Sequence, residues 1–407
     1  MPAKRSEVGT GTPLHGDPHE LDSAPFFDSL NPTMMTSKER MLRALAREKP
    51  DRLPATVHQW QQFHLDTYLG GMDALAAFKT CGLDASIQYF EAMGQFWIPN
   101  AEKFLVTTPE WREEIEIVRD HPDDKLLNHR ITTPGGQLTY KTGGNRTTTW
   151  ITEYLIKRHE DVELIAKYLP VAKLNAQAIS KEYDRIGDAG ILRGFVWGDQ
   201  AGCWQHACCL MSEEELILEC FDNPDWVHRL LQTLLERKLR FIEESLTGAR
   251  FDLIETGGGA GSDTVISPTL HREFCLPYDQ QIHAALHATG HRATYHTCGG
   301  MMHILELILE NHADASETLA PPGVGGNITD PEKVRALFGG KIAMIGGMDQ
   351  FNILTTATPE KIRQETHRLF DGFGKHGGYI CSASDHFFDT PVDHLRAFAK
   401  AALECVY

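Results

Sequence analysis

From Ser37 onward, short apolar runs rich in β-branched and aromatic residues alternate with longer stretches whose apolar positions recur every three or four residues. The first pattern is that of buried strands, and the second that of amphipathic helices packed against them. Eight runs have strand character: RLPATVH (52–58), DASIQYF (84–90), ILRGFVW (191–197), FDLIET (251–256), RATYHT (292–297), ADASET (313–318), KIAMIG (341–346) and GYICSA (378–383). The helical stretches have legible starts, because proline loses nothing at a first helical position and a preceding Ser, Thr, Asp or Asn can cap free N–H groups. This signature recurs in SPTLHREF, NPDWVHRL, TDPEKVRAL, ATPEKIRQE and DTPVDHLRAFAKAALE, while MSEEELILE offers Ser212 as a cap with Glu215 three residues on.

The wide interval between the second and third runs holds EEIEIVRD and RITTPGGQLTYKTGGNRTTTWITEYL. Its Gly-Gly turn and alternating Thr and aromatic positions predict an antiparallel hairpin. The expected fold is therefore α/β: a (β/α)8 TIM barrel over residues 37–407, with an inserted β-hairpin between strands 2 and 3 lying as a flap over the mouth. Residues 1–36, rich in Pro, Gly and Ser and without periodicity, form an N-terminal extension expected to be a loosely ordered arm. A doubly wound open sheet alternates in the same way, but no G-x-G-x-x-G opens a helix after the first run. GGGAG (257–261) follows the fourth run and reads equally well as a flexible loop or a ligand contact.

Composition narrows the function. Of 407 residues, 42% are hydrophobic and 23% charged, an ordinary globular balance with no apolar run long enough to cross a bilayer, so no membrane partner is expected. The net charge of −17 repels a phosphate backbone, so nucleic acid is not an expected partner either. Nine cysteines, an odd number with no signal peptide ahead of them, argue for a reducing compartment and hence a cytoplasmic protein. Oligomeric state is left open by the sequence, a homodimer being one option.

Candidate chemistry begins at RATYHTCGG, where His296 and Cys298 stand two apart at the end of the fifth run and so face one side of an extended chain. In a barrel the C-terminal strand ends converge, so Cys381 in GYICSASDHFF can meet them despite its distance in sequence. A His and two thiolates suit Zn²⁺ and leave a fourth position for a carboxylate, water or substrate. Glu317, closing the sixth run, is the candidate for that corner. The competing explanation is an unconnected His-x-Cys with Cys381 as a small buried hydrophobe. Cys208 and Cys209, being adjacent, read as packing residues, and Cys81, Cys220, Cys275 and Cys405 lie in helical stretches with no partner motif.

ISPTLHREFCLPYDQQI, YHTCGGMMHILELI, GGMDQ and GGYICSASDHFFDTPVDHLRAFAKAA together make the chain resemble the uroporphyrinogen decarboxylase superfamily, over most of residues 37–407. Within it, the chain resembles the zinc-containing corrinoid methyltransferase branch, whose His-x-Cys and later Cys match His296, Cys298 and Cys381. The decarboxylase proper holds a polycarboxylate with arginines near its first strand, whereas this chain reads LPATVHQWQQFH there, with His58 and Trp60 and no Arg after Arg52.

The resemblance implies a zinc-dependent transfer of methyl between a corrinoid and a small methyl donor or acceptor. The donor could be an aromatic methyl ether undergoing O-demethylation, or methylcobamide could methylate a thiol or a folate. No Asp-x-His-x-x-Gly motif occurs, so the corrinoid is expected on a separate corrinoid protein or as free cobamide. Asp199, Glu255 and Asp349, at strand ends, are candidate catalytic or orienting groups. His58, Trp60, Tyr89, Trp197, Asp263, Asp385 and His386 are candidate substrate contacts; Phe90 and Trp97 extend the aromatic set. A decarboxylase and a non-catalytic zinc or corrinoid carrier are the alternatives from other classes.

Overall fold

The computed structural model describes residues 34–90, 107–198 and 201–407. The expected arm thus lies almost wholly outside the described residues, as do Trp97 and Asp199. In chain order the strands are β1 (Ala55–Thr56), β2 (Ala85–Gln88), β3 (Arg112–His121), β4 (Asp124–Thr133), β5 (Gly136–Gly144), β6 (Thr149–Glu153), β7 (Gly190–Phe195), β8 (Leu253–Gly257), β9 (Ala293–His296), β10 (Ala315–Thr318), β11 (Ala343–Met348) and β12 (Tyr379–Ala383). Eight of them form one parallel sheet in the order β1-β12-β11-β10-β9-β8-β7-β2. The ring closes between β1 and β2 through Asp84, whose N–H donates to the Ala55 carbonyl at 2.8 Å while its carboxylate accepts from the Ala55 N–H at 3.0 Å. Helices cover the outside, which makes the fold the (β/α)8 barrel that the alternation predicts.

The insertion is larger than expected. The predicted hairpin about the Gly-Gly turn is β4–β5, but β3 and β6 extend it to a four-stranded antiparallel sheet, β3-β4-β5-β6. EEIEIVRD pairs with β4 on both sides of a bulge at Val118, and its outer face is solvated, so its polar half disguises a strand as a charged loop.

Strand alternation divides the barrel into two sets of side chains. Ile191, Leu253, Ala315, Ala343, Ile345 and Ile380 point inward near the N-terminal ends and pack on Met41, Ala44 and Leu45 of helix α1 (Ser37–Leu45), which plugs that end. Thr36 caps α1 in a capping box with Glu39. Arg40 of α1 reaches Asp51 at 2.7 Å and Asp84 at 2.7 Å, and Asp84 also takes Arg52 at 2.9 Å. This buried network latches the plug to the seam of the ring. The outward set, including Ile254, Tyr295, Met344, Tyr379, Cys381 and Ala383, packs under the helices.

One titratable group in that outer layer sets a pH dependence. Asp279, on the helix Leu276–Ala288, is buried, and burial pushes its carboxyl up to about 7, with Tyr295 and Lys238 only partly offsetting this. A folded-state value above the unfolded one means that the folded chain holds an extra proton between about pH 4 and 7, so stability falls across that window as pH rises and levels off above it. Asp279→Asn removes this slope. Urea unfolding at pH 5 and pH 8 should show the variant gaining on the wild type by a few kcal/mol at the higher pH; an equal difference at both would refute the assignment.

Candidate metal centre at the barrel mouth

The inward positions that follow the apolar plug are polar. Arg193 on β7, Glu255 on β8, His296 on β9 and Glu317 on β10 are all buried in the lumen. Register places them together, since Phe195 pairs with Glu255, Gly257 with His296 and His296 with Glu317. The Arg193 Nη2 donates to Glu317 at 2.7 Å and to Glu255 at 2.8 Å. Burial alone would lower the arginine's pKa, but the two carboxylates outweigh it and hold the guanidinium charged. Burial and the neighbouring Glu317 charge push the Glu255 carboxyl up, whereas Arg193 holds Glu317 down against its own burial.

Next to this floor stands His296. Its Nδ1 lies 3.3 Å from Glu317 Oε1 and 3.7 Å from Glu255 Oε1, and its buried Nε2 makes no hydrogen bond. A ligand atom of His296, the Cys298 sulfur and a carboxylate oxygen of Asp385 lie within 4.8 Å of one another. Burial opposes charge on His296, yet Cys298, Glu317 and Glu255 outweigh it and hold the imidazole well above its usual pKa, the mark of a field that favours a cation. An imidazole anchored through one nitrogen, a thiol and a carboxylate form a donor set suited to a borderline divalent ion such as zinc, with the unpartnered Nε2 available for coordination.

The structure brings together only part of the expected ligand set. Cys381 is fully buried on the opposite face of β12, among Tyr379 and Cys405, where burial pushes its thiol far up. It stands one strand position out of phase, because Ile380 faces the lumen and its neighbour Cys381 must face the helices. Asp385, four residues on in the loop after β12, is the third group that converges with His296 and Cys298. Glu317 stands behind the imidazole on its Nδ1 side and not among the three converging groups.

His58, past the end of β1, has its ring centroid 5.0 Å from that of His296 and 5.5 Å from that of His386, so the mouth gathers these expected residues as well. Burial depresses His58 to about 3, leaving its ring neutral. The other candidates have structural employment. Asp263 accepts from the His303 backbone and ring and from Asn327, and Asp349 accepts from the N–H groups of Phe351 and Asn352, because loops leaving strand ends need acceptors for their free N–H groups. Trp60 packs edge-on against Phe78 and Phe387, Tyr89 against Phe251 and Trp197 against His206, all within the outer core rather than along the lumen. Of the expected aromatic set, Phe90 stacks on Phe195, with centroids 5.2 Å apart.

Arg193 and Gln59 were not singled out from the sequence, whereas Gly259 lies in the GGGAG stretch read there as a loop or a ligand contact. An arginine in the middle of the apolar run ILRGFVW was the available signal for the first. Gly259 lies so close to the site that a Cβ there would stand 2.6 Å from the Cys298 sulfur and 3.1 Å from its carbonyl oxygen. Gly259→Ala is therefore expected to displace the thiol and weaken metal binding at least tenfold with little change in melting temperature; chelator competition on the purified variant measures it.

The family model for uroporphyrinogen decarboxylase (URO-D) matches residues 135–405, from the β4–β5 turn to the last helix. Among curated proteins, the uroporphyrinogen decarboxylase of Aromatoleum aromaticum is 30% identical over 166 residues, 39% of this chain and 42% of that protein. That of Xylella fastidiosa is 26% identical over 394 residues, 90% of this chain and 98% of the relative. For the first relatives the match spans about half of their own length or less. Among solved structures, a methyltransferase from Methanosarcina mazei superposes with a TM-score of 0.61 at 16% identity, covering 91% of this chain and 99% of that one, a likeness of fold. With more than half of its length matched by the family model and with the barrel in place, this chain belongs to the uroporphyrinogen decarboxylase family.

Proposed function

We propose that this protein is a zinc-dependent methyltransferase that exchanges a methyl group with a corrinoid, and that His296, Cys298 and Asp385 hold the metal. The observation that carries the reading is the convergence of those three groups, with Nε2 of His296 unpartnered while its Nδ1 is anchored. When bound, zinc would supply Lewis acidity, making a thiol guest a thiolate or an ether oxygen a better leaving group. Glu317 Oε1, 3.3 Å from His296 Nδ1, would accept the Nδ1 proton, and a bound cation would displace the other proton and take Nε2. Arg193 braces Glu317, and Glu255 braces Arg193 from the other side. The stacked Phe90 and Phe195 offer an apolar wall for a methyl group or an aromatic ring. A corrinoid, arriving on a separate protein or as free cobamide, would supply the cobalt chemistry.

That the Methanosarcina mazei protein sharing this barrel is a methyltransferase supports the reaction class. The charge of the lumen supports it over the activity for which the curated relatives are named, because a polycarboxylate needs cations free to meet it. Among the described residues Arg193 already serves two carboxylates, while Arg40 and Arg52 are locked to Asp51 and Asp84 at the plugged end. The test supplies zinc-loaded protein with methylcobalamin and a thiol, and separately with Co(I) cobalamin and an aromatic methyl ether. Zinc-dependent change of the corrinoid spectrum, lost in Cys298→Ser, is expected in one direction or the other. Turnover of a porphyrinogen acid by metal-free protein, or metal binding without turnover of any methyl donor, would overturn it.

A further inference from the structure

The ligand groups at the mouth outnumber those that one three-ligand ion employs. Besides the set of His296, Cys298 and Asp385, ligand atoms of His58, Asp385 and His386 lie within 4.8 Å of one another. The two sets share Asp385, whose carboxylate has two oxygens to offer. His386 is oriented as metal-bearing imidazoles commonly are: its Nε2 meets the Gln59 side-chain oxygen at 3.0 Å, and its Nδ1 lies 3.8 Å from Asp385 Oδ1. His58 stands between the two other imidazoles, its centroid 5.0 Å from one and 5.5 Å from the other. A third grouping, His58 with Glu255 and His296, is already neutralised from below by Arg193, 2.8 Å from Glu255.

We propose that the mouth holds two divalent ions side by side, the second bound by His58 and His386 with Asp385 bridging to the first. The proposal rests on the metal site of the proposed function and adds a second position to it. Paired catalytic ions stand roughly 3.5–4 Å apart, a spacing that a bridging carboxylate spans. The two positions differ in kind. The one with Cys298 has a soft thiolate, whereas two imidazoles and a carboxylate suit a first-row divalent ion that keeps open positions for an oxygen of the guest, such as a phenolate or carboxylate.

Titrating metal-stripped full-length protein with Co²⁺ tests this, because a thiolate-to-cobalt absorption band reports the ion at Cys298 and elemental analysis reports the total. About two cobalt ions per chain are expected in the wild type, one in His386→Ala with the thiolate band kept, and one in Cys298→Ser with the band gone. A thermal melt accompanies each variant, and His58→Gln replaces His386→Ala if the latter melts early. One ion in the wild type, kept with its band in both histidine variants, would overturn the second position and leave the first. One ion lost in all three variants means a single shared ion and equally overturns it. No cobalt binding at all would overturn both the second position and the metal site of the proposed function.

Discussion

Exchanging Cys298 for serine is expected to weaken zinc binding at its position by roughly 10²- to 10³-fold while the protein stays folded. A zinc held with on the order of 10–16 kcal/mol by four ligands loses about a quarter of that when a thiolate becomes a neutral hydroxyl. Asp385→Asn should lose somewhat less, since the amide oxygen remains a poor ligand. Cys381→Ala should leave affinity unchanged, because its thiol faces the helices. Competition against a chromogenic chelator separates these cases; an affinity that drops with Cys381 and not with Asp385 would reverse the ligand assignment.

The second large effect lies at the other end of the barrel. Asp84→Ala should cost about 3–5 kcal/mol, since it leaves the buried Arg52 without a carboxylate, takes from Arg40 one of its two, and removes an acceptor for the Ala55 N–H at the ring seam. Asp84→Asn should cost less, keeping the oxygen but not the charge. Denaturant unfolding followed by circular dichroism reads both, and a loss under about 1 kcal/mol for the alanine variant would show that the latch contributes little.

The barrel was legible because each of its eight strands leaves a local trace, a buried run flanked by a helix start, and every predicted run overlaps an observed strand. Ser267, Asp330 and Thr358 cap their helices as read from the sequence. The candidate metal centre was legible in part. His296 and Cys298 share a face because they stand two apart at a strand end. The third partner depends on the phase of β12 relative to the lumen, which the run GYICSA does not disclose: its residues are buried on both faces, so hydrophobicity cannot say whether Ile380 or Cys381 points inward. Arg193 was hidden for the same reason, being a charge in an otherwise apolar run whose two carboxylate partners, Glu255 and Glu317, lie far along the chain. The outer sheet of the insertion escaped because β3 is mostly solvent-facing and so lacks an apolar face.

Helix α1, seated on Ile191, Leu253, Ala315 and Ile380, makes the barrel a blind well. In the proposed reaction, reactant and product would then share one doorway, so a spent guest would have to vacate before its successor enters, and either should compete with the other for the empty well. A carrier protein, too, would have only that rim on which to present its cargo, which puts the loop bearing Asp385 among the surfaces it would have to pass.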